Sequence, residues 1–274
     1  MSNSWKKSAQ VVAAASLAVL MGQTLGPNAA SAVDPSAVVV QAVKAKPKLL
    51  KPNLMVLKAS DLYIQRTGSG RYLRFESALG NIGRGPIEVR PNRARRCPRG
   101  QHHATQVIYR DVDGSRRFRR SVDTKVGRRS AGCMIFHPAH DHWHFEAASR
   151  YKLYEPGRRR DIVRVAQRKM SFCLRDSERA PQRYGSFRQP EYYGACAKHS
   201  PQGISPGWVD VYQSFLAGQA LKLPRKARNG LYCLAIKVDP QNQLVESNNK
   251  DNTSVRAFRL EGDRILFRKA RRCT

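Results

Sequence analysis

The stretch from His137 to Leu153 restricts the fold of this chain more than any other. It begins His137-Pro-Ala-His140-Asp-His142-Trp-His144, and from His140 onward an imidazole occupies every second position. Side chains two apart in a β-strand lie on the same face. The spacing therefore predicts a strand with His140, His142 and His144 on one side. Trp143, Phe145, Ala147, Tyr151 and Leu153 fall on the other side, toward a core. His137 is off this pattern. His102-His103, in a basic loop, reads as a solvated pair.

From residue 53 the chain carries strand signals of the same kind. Leu54–Leu57, Leu62–Gln65, Tyr72–Ala78 and Ile87–Val89 are short apolar segments separated by Gly, Ser, Asn and Pro. Gln106–Tyr109 and the segment after Asp113-Gly114 predict a hairpin. Leu231–Val238 follows Asn229-Gly230, and Thr253–Leu260 and Arg264–Phe267 close the chain. A 3.6-residue period is not sustained. The expected fold is all-β: a sandwich-like domain with long loops and few short helices. The loops, above all 175–207, are where function is expected to sit.

The first 32 residues read as an address. Lys6 and Lys7 precede an uncharged apolar run, Val11 to Met21, and Ala30-Ser31-Ala32 fits a signal-peptidase cut. Residues 33–51 read as a flexible linker and 52–274 as the functional domain, secreted or bound to the cell wall. The run at 11–21 is too short to span a bilayer permanently, and no other long apolar run exists, so no span is expected after cleavage. All six Cys lie beyond residue 32, which in an exported chain predicts up to three disulfides. Six Cys allow fifteen pairings, and the sequence does not choose among them.

Three same-face imidazoles make a nitrogen donor set suited to Cu, Zn, Fe or Ni. Three His ligands leave a coordination position open, the pattern of catalytic sites. On residue chemistry alone the set fits a copper enzyme, a zinc hydrolase or lyase that activates water, or a non-catalytic copper- or polyanion-binding surface protein. Downstream, Glu246, Asn248, Asp251 and Asn252 offer oxygen ligands in a short loop, as Ca²⁺ prefers. Lys169 and Tyr212 carry no such signal by themselves.

Taken with two later segments, the histidine strand resembles the copper-binding motif of the lysyl oxidase family. Lys169-Met-Ser-Phe172-Cys173-Leu-Arg-Asp176 is similar to that family's segment around its cofactor lysine. Gly203-Ile-Ser-Pro206-Gly207-Trp-Val-Asp210-Val-Tyr212 is similar to the segment around its cofactor tyrosine. Asp239-Pro, Glu246, Asn248 and Asp251-Asn252 fall where the family has an acidic and amide loop, and the likeness spans roughly residues 53–260. It implies copper on His140, His142 and His144, and a lysine tyrosylquinone formed by Lys169 and Tyr212. It also implies oxidation of a primary amine or a lysyl side chain by O2, giving an aldehyde, ammonia and hydrogen peroxide. Asp210, which shares a face with Tyr212 in an extended segment, is the expected base, ahead of Asp141 and His199. For calcium, the resemblance adds Asn53 and the Leu54 carbonyl. Relatives usually have Asp at positions 53 and 248, so Asn at both lowers the charge of the site.

Animal relatives carry Cys where this chain has Ala139 and Trp208, so its disulfide net must differ. Cys173 and Cys196 bracket the loop leading to Tyr212 and form the expected bridge, leaving Cys97–Cys133 and Cys233–Cys273. Lys and Arg number 50 against 20 Asp and Glu, a net charge of +30. Runs at Arg93–Arg99, Arg116–Arg120 with Arg128-Arg129, Arg158–Arg160 and Arg268–Arg272 suit an anionic cell-envelope polymer. No nucleic-acid motif accompanies them, so sequence-specific reading of nucleic acid is not expected. A cationic lysine is repelled by such a surface, which favours lysines in acidic sequence context.

Overall fold

Alternating burial along short strands builds two antiparallel sheets. The computed structural model describes residues 48–92, 97–156, 168–184 and 189–273, with backbone alone at 147, 168 and 169. The signal segment, most of the linker and the basic runs at 93–96 and 158–160 lie outside these residues. The described strands are β1 (Leu49–Leu50), β2 (Leu54–Val56), β3 (Ser60–Thr67), β4 (Gly70–Asn81), β5 (Ile87–Asn92), β6 (Gln101–Arg110), β7 (Thr124–His137) and β8 (His142–Tyr154). They continue as β9 (Arg168–Phe172), β10 (Glu178–Arg179), β11 (Gln202–Ile204), β12 (Trp208–Tyr212), β13 (Ala220–Lys222), β14 (Gly230–Val238), β15 (Thr253–Glu261) and β16 (Arg264–Arg268). The larger sheet runs β11-β5-β6-β7-β8-β14-β15-β16, with β1 on β6 and β9 on β8. The smaller runs β10-β12-β4-β13, with β2 and β3 on β4. Helical structure among the described residues is limited to three single 3₁₀ turns. The fold is all-β and sandwich-like, as the strand periodicity predicted.

One core joins the sheets. Leu73, Phe75 and Leu79 of β4 meet Phe145, Tyr151 and Leu153 of β8 and Leu234, Ile236 and Val238 of β14. The apolar face expected of β8 is therefore buried, with Trp143 half-buried against its edge. Phe75 and Tyr151 pack edge to face at 4.9 Å. Asn81, fully buried at the end of β4, uses its whole amide. It accepts from the Asn53 and Gly83 N–H groups and donates to the carbonyls of Gly85 and Ile204. That residue fixes β2, β4 and the end of β11 where β4 pairs with the Trp208 end of β12.

The hairpin expected at Asp113-Gly114 exists as the β6–β7 pair, but its tight turn does not. The connection spans residues 111–123, because Phe118 folds inward and forms a small separate core with Leu50, Val107 and Tyr109. Asp123 holds this loop by accepting the Val112 and Arg119 N–H groups. His102 and His103 are not a solvated pair either. His102 lies 4.4 Å from the Trp143 ring, and His103 hydrogen-bonds Ser130 at 2.7 Å. Bridges join Cys97–Cys133, Cys173–Cys196 and Cys233–Cys273.

Candidate metal centre

Pro138 starts a 3₁₀ turn at the end of β7, and its fixed φ suits a first helical position. Asp141 closes the turn in the left-handed region at φ 51°, and β8 begins at His142. His140 therefore stands on a turn and not in the strand expected for it. The turn nevertheless returns it to the face of His142 and His144. His140 Nδ1 lies 3.3 Å from His144 Nε2, which lies 3.1 Å from His142 Nε2. All three imidazoles offer a nitrogen within 4.8 Å of the others. Two nitrogens bound to one ion at about 2.0 Å sit roughly 2.9–3.3 Å apart, so this donor set fits a transition-metal ion. Burial, with a smaller contribution from the neighbouring imidazoles, lowers His144 to about 4. Burial lowers His142 as well. Both rings are thus neutral at pH 7, the form that binds metal.

His137 joins the same cluster, stacked on His140 at 4.5 Å and on His144 at 4.8 Å. The alternation rule missed it. His137 ends β7 and pairs with His142 across the turn that Pro138 starts.

Tyr212 approaches from the smaller sheet. Its ring stacks on Phe172 of β9 at 3.8 Å, and its hydroxyl donates to the Cys173 carbonyl at 2.6 Å. The sulfurs of Cys173 and Cys196 both lie within 4.8 Å of a His142 ring nitrogen. Cys173 therefore lies between Tyr212, which bonds its carbonyl, and His142, which lies near its sulfur. The backbone of Lys169 pairs with Arg150 of β8, three residues before Phe172. The Lys169 side chain lies outside the described residues. Gly218, in the turn after Tyr212, has φ +90°, and a Cβ there would come within 2.3 Å of the Met170 side chain. The turn after Tyr212 thus packs on the residue next to Lys169.

Asp210 and Tyr212 do share a face. Asp210 is 1 % exposed and accepts from Ser177 Oγ at 3.2 Å and from the Arg175 N–H at 3.4 Å. Burial pushes its carboxyl up to about 8, against the hydrogen bonds from Ser177 and the Arg175 N–H. Burial and the adjacent Asp210 hold the Tyr212 phenol well above its usual range, so it stays protonated. Tyr151, Ser77 and Gln219 close a buried hydrogen-bond ring behind this pair. Asp141 and His199 are exposed.

The oxygen cluster also assembles. Glu246 accepts from the Leu54 N–H at 2.7 Å and from Asn252 Nδ2 at 2.8 Å, and Asn53 Nδ2 donates to Asp251 at 3.0 Å. Asn53 Oδ1, Asp251 Oδ1 and Asn252 Oδ1 are buried without a partner. Orphaned buried oxygens are costly, and a hard cation bound to them removes that cost, so these residues fit calcium. Asn248 is not drawn in; it is exposed and accepts the Lys250 N–H. Burial raises Glu246 to about 7.

Sequence reasoning gave no hint of Glu88. This fully buried carboxylate accepts from the Tyr109 and Tyr193 hydroxyls at 2.8 Å each and pairs with Arg90 and Arg120. Burial disfavours its charge, but those hydroxyls and Arg90 outweigh it and keep Glu88 below its usual range. Glu88 ties the 111–123 loop to the segment that leads into Tyr212.

The model of the family described as lysyl oxidase matches residues 117–270, more than half of the chain. The chain belongs to the lysyl oxidase family. The match takes in the three imidazoles, Lys169, Asp210, Tyr212 and the Glu246–Asn252 loop, but not Asn53, Leu54 or Glu88. No curated protein matches the chain significantly. Lysyl oxidases in general depend on copper and lysine tyrosylquinone, act on primary amines with O2, and are typically extracellular. Membership makes this chain an oxidoreductase of the amine oxidase kind. Among the described residues no helix is long and apolar enough to cross a membrane.

Proposed function

We propose that this protein is a secreted copper- and quinone-dependent amine oxidase. It would convert lysyl side chains or other primary amines to aldehydes, releasing ammonia and hydrogen peroxide. His140, His142 and His144 hold copper, and Lys169 and Tyr212 form the quinone cofactor. The observation that carries the reading is the hydrogen bond from the Tyr212 hydroxyl to the Cys173 carbonyl, with the Cys173 sulfur within 4.8 Å of a His142 ring nitrogen. Copper with oxygen supplies the oxidising power that makes a quinone of a phenol, and the quinone accepts the electrons of the amine.

The chain's own residues do the rest. Neutral His142 and His144 present lone pairs without first losing protons. Phe172 and the Cys173 carbonyl fix the orientation of the Tyr212 ring. Asp210, with a carboxyl at about 8, is partly ionised at neutral pH and takes the proton from the amine's α-carbon onto Oδ1 or Oδ2. Calcium on Asn53, the Leu54 carbonyl, Glu246, Asp251 and Asn252 pins the 246–252 loop to β2 without taking part in the reaction. The exposed arginines at 116, 117, 128 and 129 serve attachment to an anionic envelope polymer and favour amines in acidic surroundings.

The test is peroxide release by copper-loaded, aerobically matured protein across a panel of amines. The reading predicts turnover of at least one lysyl peptide, faster with acidic than with basic flanks at low salt. Copper binding with no oxygen consumed on any amine contradicts it.

A further inference from the structure

We infer that opening the Cys173–Cys196 bridge creates a second metal site, made of the two sulfurs and His142, that takes a soft ion such as Cu(I). A His142 nitrogen and both sulfurs lie within 4.8 Å of one another, so the three ligands are already gathered. Among the described residues neither of the other two bridges belongs to such a cluster. Thiolates select Cu(I) over harder ions, whereas three imidazoles suit the oxidised metal. His142 belongs to both sets and cannot serve both at once. The state of the bridge therefore decides which set holds the ion.

The two cysteines differ in mobility. Cys173 is buried directly after β9, with its carbonyl held by the Tyr212 hydroxyl. Cys196 is half-buried in an irregular loop whose neighbours are exposed. Two thiolates bound to one ion at about 2.3 Å each stand roughly 3.7 Å apart, wider than a disulfide. The loop at Cys196 can supply that movement while Cys173 stays fixed. Attack by a reducing agent also reaches Cys196 more easily.

The electron balance is simple. A dithiol reductant gives two electrons and two protons, the S–S bond breaks, two S–H groups form, and the reductant becomes its own disulfide. Each thiol releases its proton when it binds the ion. Reoxidation by a disulfide oxidant reverses the sequence, removes both sulfur ligands, and leaves the ion on His142 with His140 and His144 beside it. Copper would then load as Cu(I) onto the sulfurs of a newly exported chain and pass, still as Cu(I), to the imidazoles when the bridge closes; O2 then takes one electron from it to give Cu(II). The direction of transfer rests on the copper reading above; the sulfur site itself does not.

The experiment uses the full mature protein under anaerobic conditions, oxidised or reduced with a phosphine, titrated with Co(II) as a spectroscopic probe and with Cu(I) against a coloured chelator. The reduced protein should show thiolate-to-cobalt charge transfer and bind Cu(I) roughly tenfold or more tightly than the oxidised protein. Reduced Cys97→Ser/Cys133→Ser protein should keep both signals. Reduced Cys173→Ser/Cys196→Ser protein should lose both, and reduced His142→Gln should lose affinity. X-ray absorption of reduced wild-type protein with Cu(I) gives a readout independent of any variant folding: sulfur and nitrogen together in the first shell support the site. A nitrogen-only shell, or charge transfer undiminished in Cys173→Ser/Cys196→Ser, overturns it. Reduced His140→Gln/His144→Gln protein separates this inference from the oxidase reading, because the sulfur signal must persist there even with the three-imidazole set destroyed.

Discussion

The imidazole cluster and the Glu88 cluster are opposite solutions to holding polar groups inside one sandwich. The imidazoles come from one turn and the strand ends on either side of it, His137 to His144, and stand partly open to solvent. Glu88 gathers Tyr109, Arg120 and Tyr193 from 21, 32 and 105 residues away and is completely buried. In the first, a local pattern places nitrogen donors near one another, within reach of a single ion. In the second, every oxygen is engaged and three segments are locked together. The difference separates a site that awaits a ligand from a joint that needs none.

The largest effect is expected at the local site. His144→Ala should weaken copper binding by more than about 100-fold, beyond the usual effect of changes outside the ligand sphere. The fold should be little altered, because the ring is only half-buried. Metal titration alongside thermal melting checks both parts. A large loss of stability would show that the cluster is a structural joint after all.

Glu88→Gln should show the reverse. Removing the charge weakens the hydrogen bonds that Tyr109, Tyr193 and Arg90 make to it and costs about 2 kcal/mol. Denaturant unfolding reads the loss, while copper affinity should stay unchanged. A variant of normal stability would break the contrast. The oxygen cluster is an intermediate case, buried yet short of partners. Calcium at about a hundred times its Kd should stabilise the wild type by about 2.7 kcal/mol. In Asp251→Asn that gain should shrink sharply, and a melting shift that survives the substitution places the ion elsewhere.

The last effect, at Asp210, depends on pH. Its folded pKa is raised to about 8, so its proton stabilises the fold fully below the ordinary carboxylate range. That stability is lost as pH rises through about 8. Asp210→Asn cannot ionise. Its stability relative to wild type should therefore rise between pH 5 and pH 9, as melting curves at several pH values will show. A flat difference means that Asp210 does not titrate in this range.

The same contrast explains what the sequence revealed. His140, His142 and His144 were legible because their partners are two and four residues away. The long strands β4, β14 and β15 were legible because burial alternates through part of each, at Tyr72–Ser77, Leu234–Val238 and Phe258–Glu261. The strands β10, β11 and β13, two or three residues each, show no period and are set by pairing with distant chain. Tyr212 became visible only through the family resemblance, since a tyrosine on a five-residue strand carries no local mark. Glu88 had neither kind of signal. Its role depends on contacts across three segments that nothing in Ile87-Glu88-Val89 announces.

Mass spectrometry of peptides from copper-loaded, aerobically matured protein tests the central claim most directly. The account predicts one covalent species joining the Lys169 and Tyr212 peptides, absent from His144→Ala protein. Full recovery of both peptides unlinked, from protein that holds its copper, contradicts it.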